Sequence, residues 1–190
     1  MTQPADKPVR PDLAAKLRAL HEGRARAELT AADALAPGSD RVMWRGALLA
    51  EIAVVKGLPG PAEATGGAAL SGADGDAVTK ALEALGWAPE GVFYTLSRPE
   101  PGMDPERAAD RLRLQLEAVD PLAIVALDAE AAADLAEAFG CEPLAPGIAV
   151  RVLGRPLVAL SGFEAALAQP KAKQRVWAEL KAAKPAGPVY

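Results

Sequence analysis

The sequence predicts an α/β protein: a three-layer α/β/α sandwich built on a mainly parallel central sheet. Three observations predict it. From residue 50 onward, short apolar runs of strand length alternate with amphipathic helical stretches. One of those runs, Leu122–Leu127 (LAIVAL), is apolar without interruption, as a central parallel strand covered on both faces must be. Helix-start signals stand after strands, with Asp104 capping and Pro105 at the first helical position, and with Asp128 directly behind LAIVAL.

The elements follow in order. Residues 1–11 hold three prolines and read as a flexible N-terminus. From Asp12 a helix begins, with Leu13, Leu17 and Leu20 at i, i+4, i+7, a possible break at Gly23, and a stop at Pro37-Gly38. Ala50–Lys56 (AEIAVVK) reads as a buried strand. Gly57–Gly75 is rich in Gly, Ala and Pro without a period, so a long loop is expected. Asp76–Leu85 is a short helix with Gly86 at its C′ position, and Gly91–Leu96 (GVFYTL) is a strand. Ser97–Met103 is a turn, and a helix over 105–119 carries the stripe Ala108, Leu112, Leu116, Val119. A helix from Asp128 ends at Gly140. Ala149–Leu153 and Leu157–Leu160 are short strands about Gly154, and a last helix runs from about Gln169 to Ala183. One domain, 12–184, with a tail at 185–190 is the expected organisation. Ligands of such sheets sit at the carboxyl ends of the strands, which points to the loops after Lys56, Leu96, Leu127 and Leu160.

Composition excludes several chemistries. The 190 residues include one Cys, Cys141, one His, His21, and no Asn. A disulfide framework, an iron–sulfur cluster or a zinc site cannot be assembled from this chain alone, so no metal and no cofactor are expected. No apolar run approaches about 20 residues and no leader-like apolar segment opens the chain, so a cytoplasmic protein without membrane contact is expected. The net charge is −4, from 21 basic and 25 acidic residues. It is unevenly spread: residues 151–190 hold seven basic residues (Arg151, Arg155, Lys171, Lys173, Arg175, Lys181, Lys184) and two acidic (Glu164, Glu179), a net of +5 that leaves −9 for the rest. A basic segment of that kind is either a solvated helix face or a phosphate-facing edge.

In this order and spacing the segments resemble the uracil-DNA glycosylase superfamily, closest to its iron–sulfur families four and five. The resemblance covers roughly residues 50–183. It rests on the strand GVFYTL, the turn Arg98-Pro99, the acid-capped helix start Asp104-Pro105-Glu106, the strand Pro121–Leu127, the closing stretch QPKAKQRVWAELK and the Gly-rich GAALSGADG at 67–75. It implies a glycosylase-like sandwich and a pocket that receives a flipped base. The residues at the corresponding positions depart from the family. Gly57, in Lys56-Gly57-Leu58-Pro59-Gly60, stands where the family pattern has an acid for the attacking water. Leu70 stands for the ring that stacks on the base, Leu96 marks the place of the reading Asn, and Ser161-Gly162-Phe163 takes the place of the late His-Pro-Ser motif. The cluster cysteines are absent.

The resemblance therefore implies a chain that has kept the architecture and lost base excision, with no catalytic residue assigned. A binder of nucleic acid or of a DNA-repair protein is expected instead. The expected contacts are Leu58, Pro59, Gly60, Leu70, Arg98, Gly162, Phe163, Lys171, Lys173 and Arg175. A glycosylase working with non-standard residues and a module for a small nucleotide-like ligand are the alternatives. Other polar residues have ordinary structural readings. Asp74 and Asp76 read as helix caps, Glu63 as a solvated loop residue, His21 as a surface residue and Cys141 as a small apolar filler. Trp44, Trp87 and Trp177 read as core or rim anchors.

Overall fold

The computed structural model describes residues 11–185. The expected flexible N-terminus, apart from Pro11, and the tail beyond Pro185 lie outside the described residues. The elements are α1 (Pro11–Asp33), β1 (Arg45–Gly46), β2 (Ile52–Lys56), α2 (Pro61–Ala64), α3 (Ala73–Leu85), β3 (Val92–Leu96), α4 (Pro105–Val119), β4 (Ala123–Ala126), α5 (Ala129–Phe139), β5 (Val150–Val152), β6 (Arg155–Ala159), α6 (Phe163–Ala166) and α7 (Pro170–Leu180).

The strands form one sheet in the order β1-β3-β2-β4-β6-β5. The four inner strands β3, β2, β4 and β6 are mutually parallel, while β1 and β5 pair antiparallel at the two edges. Strands β2, β3 and β4 are buried at every position, which is why β4 reads as an unbroken apolar run and β2 and β3 are apolar but for Lys56 and Thr95 instead of alternating. The register sets Lys56 beside Leu96 and Ala126 beside both Val55 and Ala159, so the carboxyl ends lie level.

Helices cover both faces. Val78 and Leu82 of α3 with Val176 and Leu180 of α7 pack on Ile52, Val54 and Val125. Leu29 of α1, Leu112 and Leu116 of α4 and Leu135 of α5 pack on Ala53, Val55 and Ile124 from the other side. The crossover from β2 to β3 runs one way across the sheet and that from β3 to β4 runs back. Crossovers of one hand then need α3 and α4 on opposite faces, as they are. The point where the direction reverses lies between β2 and β4.

The capping signals act as read. Asp104 accepts from Arg107 N–H and Asp128 from Ala131 N–H, and Gly86 and Gly140 close α3 and α5 in the left-handed conformation. Four expectations need correction. The first helix ends at Asp33, runs through Gly23 unbroken, and leaves its leucine stripe uncovered, with Leu13, Leu17 and Leu20 each 45–67% exposed. The segment 57–75 is not one long loop, because α2 and the first turn of α3 lie within it. Helix α3 starts three residues early, with Gly72 rather than an aspartate at its cap. The two-residue strand β1 gave no periodic signal and was not expected at all.

Ile124 is fully buried between Ala53 of β2 and Leu157 of β6. Ile124→Asp places an unpaired carboxylate there, and a loss above about 4 kcal/mol is expected, enough to unfold the chain. Circular dichroism with urea denaturation checks it; near-normal stability of the variant would show that β4 is not central.

Candidate functional site

Strand β2 ends in a lysine whose ammonium is buried, and that residue organises the carboxyl edge. Lys56 Nζ lies 2.7 Å from Asp74 Oδ2, 2.9 Å from Glu164 Oε2 and 3.8 Å from Glu63 Oε2. Lys56, Asp74 and Glu63 are all under 7% exposed, whereas the Glu164 side chain is half exposed. Burial opposes the charged ammonium. Hydrogen bonds to Asp74 and Glu164 and the attraction of Asp74 and Glu63 outweigh it, so the Lys56 pKa is raised.

The carboxylates are held by backbone N–H groups as well. Glu63 Oε2 accepts from Gly60 N–H at 3.0 Å and Oε1 from Leu70 N–H at 2.8 Å, which fastens α2 to the loop before α3. Asp74 Oδ1 accepts from Gly75 N–H at 2.9 Å. Asp128 Oδ2 accepts from Gly57 N–H at 2.9 Å and Oδ1 from Ala131 N–H at 2.8 Å, so it joins the end of β2 to the start of α5. Burial raises the Asp128 pKa in spite of these two donors. Glu63 and Asp74 are therefore not the loop residue and helix cap that their sequence context suggested.

A cleft of about 400 Å3 opens at this point, lined by Lys56, Asp74, Asp128, Gly162, Phe163 and Glu164 among others. It sits at the carboxyl ends of β2 and β4, where the crossover direction reverses, the usual ligand position in open parallel sheets. A larger cleft of about 760 Å3 lies beyond Asp128, walled by alanines of α5 and by Pro143, Leu144 and Pro146. Among the described residues no set of His, Cys, Asp or Glu side chains is arranged to hold a metal ion. Between the carboxylates of α2, α3 and α6 the positive charge is carried by the Lys56 ammonium.

The positions marked by the sequence separate into three groups. Gly162 and Phe163 line the cleft, and Gly60 lies against Lys56, where a Cβ would come within 2.5 Å of Nζ. Phe163 is 6% exposed and packed in the core, and its N–H donates to Leu127 O. Leu70 is fully buried with φ 54°, so it presents no surface to a base; its carbonyl accepts from Arg45. Leu58 is 48% exposed, and Pro59 lies partly exposed beside it.

A second group is turned away from the cleft. Gly57 is covered by α5: a Cβ there would lie 2.5 Å from Glu130 Cβ and 2.7 Å from Asp128 Oδ1. Leu96 is 1% exposed, and its carbonyl accepts from Arg111. Arg98 forms a bidentate pair with buried Asp134 at 2.7 and 3.0 Å, and Ser97 Oγ donates to the same carboxylate at 2.6 Å. Arg98 thus ties the loop after β3 to α5.

The third group is on α7. Lys171, Lys173 and Arg175 are exposed, and Arg175 Nε donates to Ser161 Oγ at 3.1 Å, which sets the first turns of α7 beside the loop after β6. Sequence reasoning missed Lys56, Asp74 and Glu164 as a unit. The available signal was a lysine closing an otherwise apolar strand, since a buried ammonium must find carboxylates.

Two outcomes follow. Lys56→Met leaves Asp74 and Glu63 buried without their counter-charge, and a loss of about 3–5 kcal/mol at pH 7 is expected by urea denaturation. Part of it returns at low pH, where the stranded carboxylates bind protons. In the unaltered protein the raised Lys56 pKa gives a contribution that is complete below the ordinary lysine value and lost as pH rises through the higher folded value. An unchanged stability of the variant at pH 7 would remove Lys56 from this role. Gly57→Ala forces its methyl group into α5 and is expected to cost about 1–3 kcal/mol in the same measurement.

No protein-family model matches the chain, and no curated protein matches it.

Proposed function

We propose that the chain is a uracil-DNA glycosylase-like α/β protein that binds nucleic acid and does not excise bases. The observation that carries the reading is the basic run Lys171, Lys173, Arg175, exposed on the first turns of α7 and set at the carboxyl edge by the Arg175–Ser161 hydrogen bond. Phosphate binding needs accessible Lys or Arg rather than ion-paired ones, and among the described residues no carboxylate lies within ion-pair distance of Lys171 or Lys173.

The absence of excision is supported by the state of the polar groups at the reversal point. Base removal asks the site to lower a barrier by some 8–23 kcal/mol through groups aimed at the reacting atoms. Here both oxygens of Glu63, of Asp74 and of Asp128 are already engaged by backbone N–H groups or by Lys56. The position of the family's acid is Gly57, sealed by α5. Among the described residues the Ser161 hydroxyl has Arg175 as its side-chain partner, a donor that cannot take its proton, and the nearby Glu179 carboxylate is bound to the Ser161 backbone N–H instead. The carboxylates around Lys56 also repel phosphate from the cleft, so a strand would lie along α7.

Binding of a labelled single-stranded oligonucleotide, followed by fluorescence anisotropy, is expected to weaken steeply with salt. Lys171→Glu with Lys173→Glu is expected to weaken it at least about tenfold at low salt. No strand break at uracil is expected when a uracil-containing strand is incubated with the protein and then treated with alkali. Failure to bind any strand at low salt would sink the binding reading, and robust uracil release would sink the non-catalytic one.

A further inference from the structure

Helix α7 holds a single acidic residue, Glu179, and it points back at the loop after β6. Its Oε2 accepts from the Ser161 backbone N–H at 2.8 Å, and its Oε1 lies 3.8 Å from Arg175 Nε. Arg175 Nε in turn donates to Ser161 Oγ at 3.1 Å. The Glu179 side chain is 11% exposed while that of Arg175 is 63% exposed. Gly147 closes in behind it, with the position of a Cβ only 3.0 Å from Glu179 Cγ.

A backbone N–H donating to an oxyanion with a guanidinium beside it is an arrangement that also holds a phosphate. Here the oxyanion is the chain's own. The pair is not needed to hold the helix, because Val176 and Leu180 anchor α7 in the core. Ser161 is exposed, so its N–H would be satisfied by water if the carboxylate left.

We infer that Ser161 N–H and Arg175 form a phosphate-binding position at the end of the basic run of α7, kept closed by Glu179. This rests on the nucleic-acid reading above and adds the place of one phosphate and the group that competes for it. An incoming phosphate takes over the Ser161 N–H and the outer face of Arg175, and Glu179 moves out to solvent. The ligand chemistry is a phosphate oxyanion, from a strand or free.

The test compares Glu179→Gln with the unaltered protein. The amide oxygen can still accept from Ser161 N–H, so the fold is kept while the competing charge is removed. Affinity for a single-stranded oligonucleotide is expected to rise about fivefold, with the salt slope steeper by about one. Arg175→Ala in the Glu179→Gln background is expected to abolish the gain. Binding of inorganic phosphate alone, read by calorimetry at matched ionic strength, separates the sources: a gain with the oligonucleotide only assigns the position to a strand, and a gain with free phosphate as well assigns it to the phosphate group itself. No gain with either ligand overturns the inference, even where Lys171→Glu with Lys173→Glu still weakens strand binding. A protein that binds no strand at all instead overturns the reading on which the inference rests.

Discussion

An ammonium taken out of water costs several kcal/mol unless carboxylates and hydrogen bonds meet it, and β2 ends on such an ammonium. The segments that follow β2 and β6 are drawn together by that requirement. Asp74 comes from the first turn of α3, Glu63 from α2 and Glu164 from α6, so three separate segments converge on Lys56. Glu63 also accepts from Leu70 N–H, and this bond holds the chain where Leu70 takes a left-handed conformation that costs a branched side chain of order 1–3 kcal/mol. Gly60 follows from the same constraint, since its bare backbone lets the loop lie directly on Nζ.

The opposite side of the same edge is fixed by a second buried charge. Arg111 of α4 is fully buried and donates to Asp33 at the end of α1 at 2.8 Å and to Leu96 O at 3.0 Å. Gln115 donates to the same Asp33 oxygen and accepts from Thr95 Oγ1, while Trp44 Nε1 donates to the other Asp33 oxygen. Burial pulls the Arg111 pKa down against the opposing pull of Asp33. One carboxylate thereby sets the end of α1, the face of α4 and the end of β3 in fixed relation. With Asp134 holding Ser97 and Arg98, the turn after β3 is fastened on both sides.

The layers of the fold were legible because each reports a local cause. LAIVAL is apolar throughout since both faces of β4 are covered, and the helices after β3 and β4 begin at Asp104 and Asp128 since each accepts an otherwise unpartnered N–H. What was not legible depends on contacts distant in sequence. Asp74 beside a helix start reads as a cap, and only the fold reveals Lys56, 18 residues away, as its partner. Glu63 in a Gly- and Pro-rich stretch reads as solvated, and only the fold buries it. The period of Leu13, Leu17 and Leu20 is truly helical, yet periodicity says nothing about whether a face is covered, and these three are not. Strand β1 owes its two residues to the edge of β3 rather than to any pattern of its own.

The two buried charge systems also decide what the edge can meet. Around Lys56 three carboxylates answer one ammonium, with Asp128 close by, so the cleft at the reversal point carries excess negative charge. At short range such a field opposes a phosphate more strongly than the net −4 of the whole chain does, because charges near low-dielectric walls are poorly screened. Arg98 cannot offset it, being bound bidentately to Asp134. Lys171 and Lys173 stand outside this network, on the helix that also carries Arg175 beside Ser161. An anion approaching this end of the molecule is therefore turned from the cleft toward α7. There the carboxylate it meets is Glu179, which is itself held by Ser161 N–H.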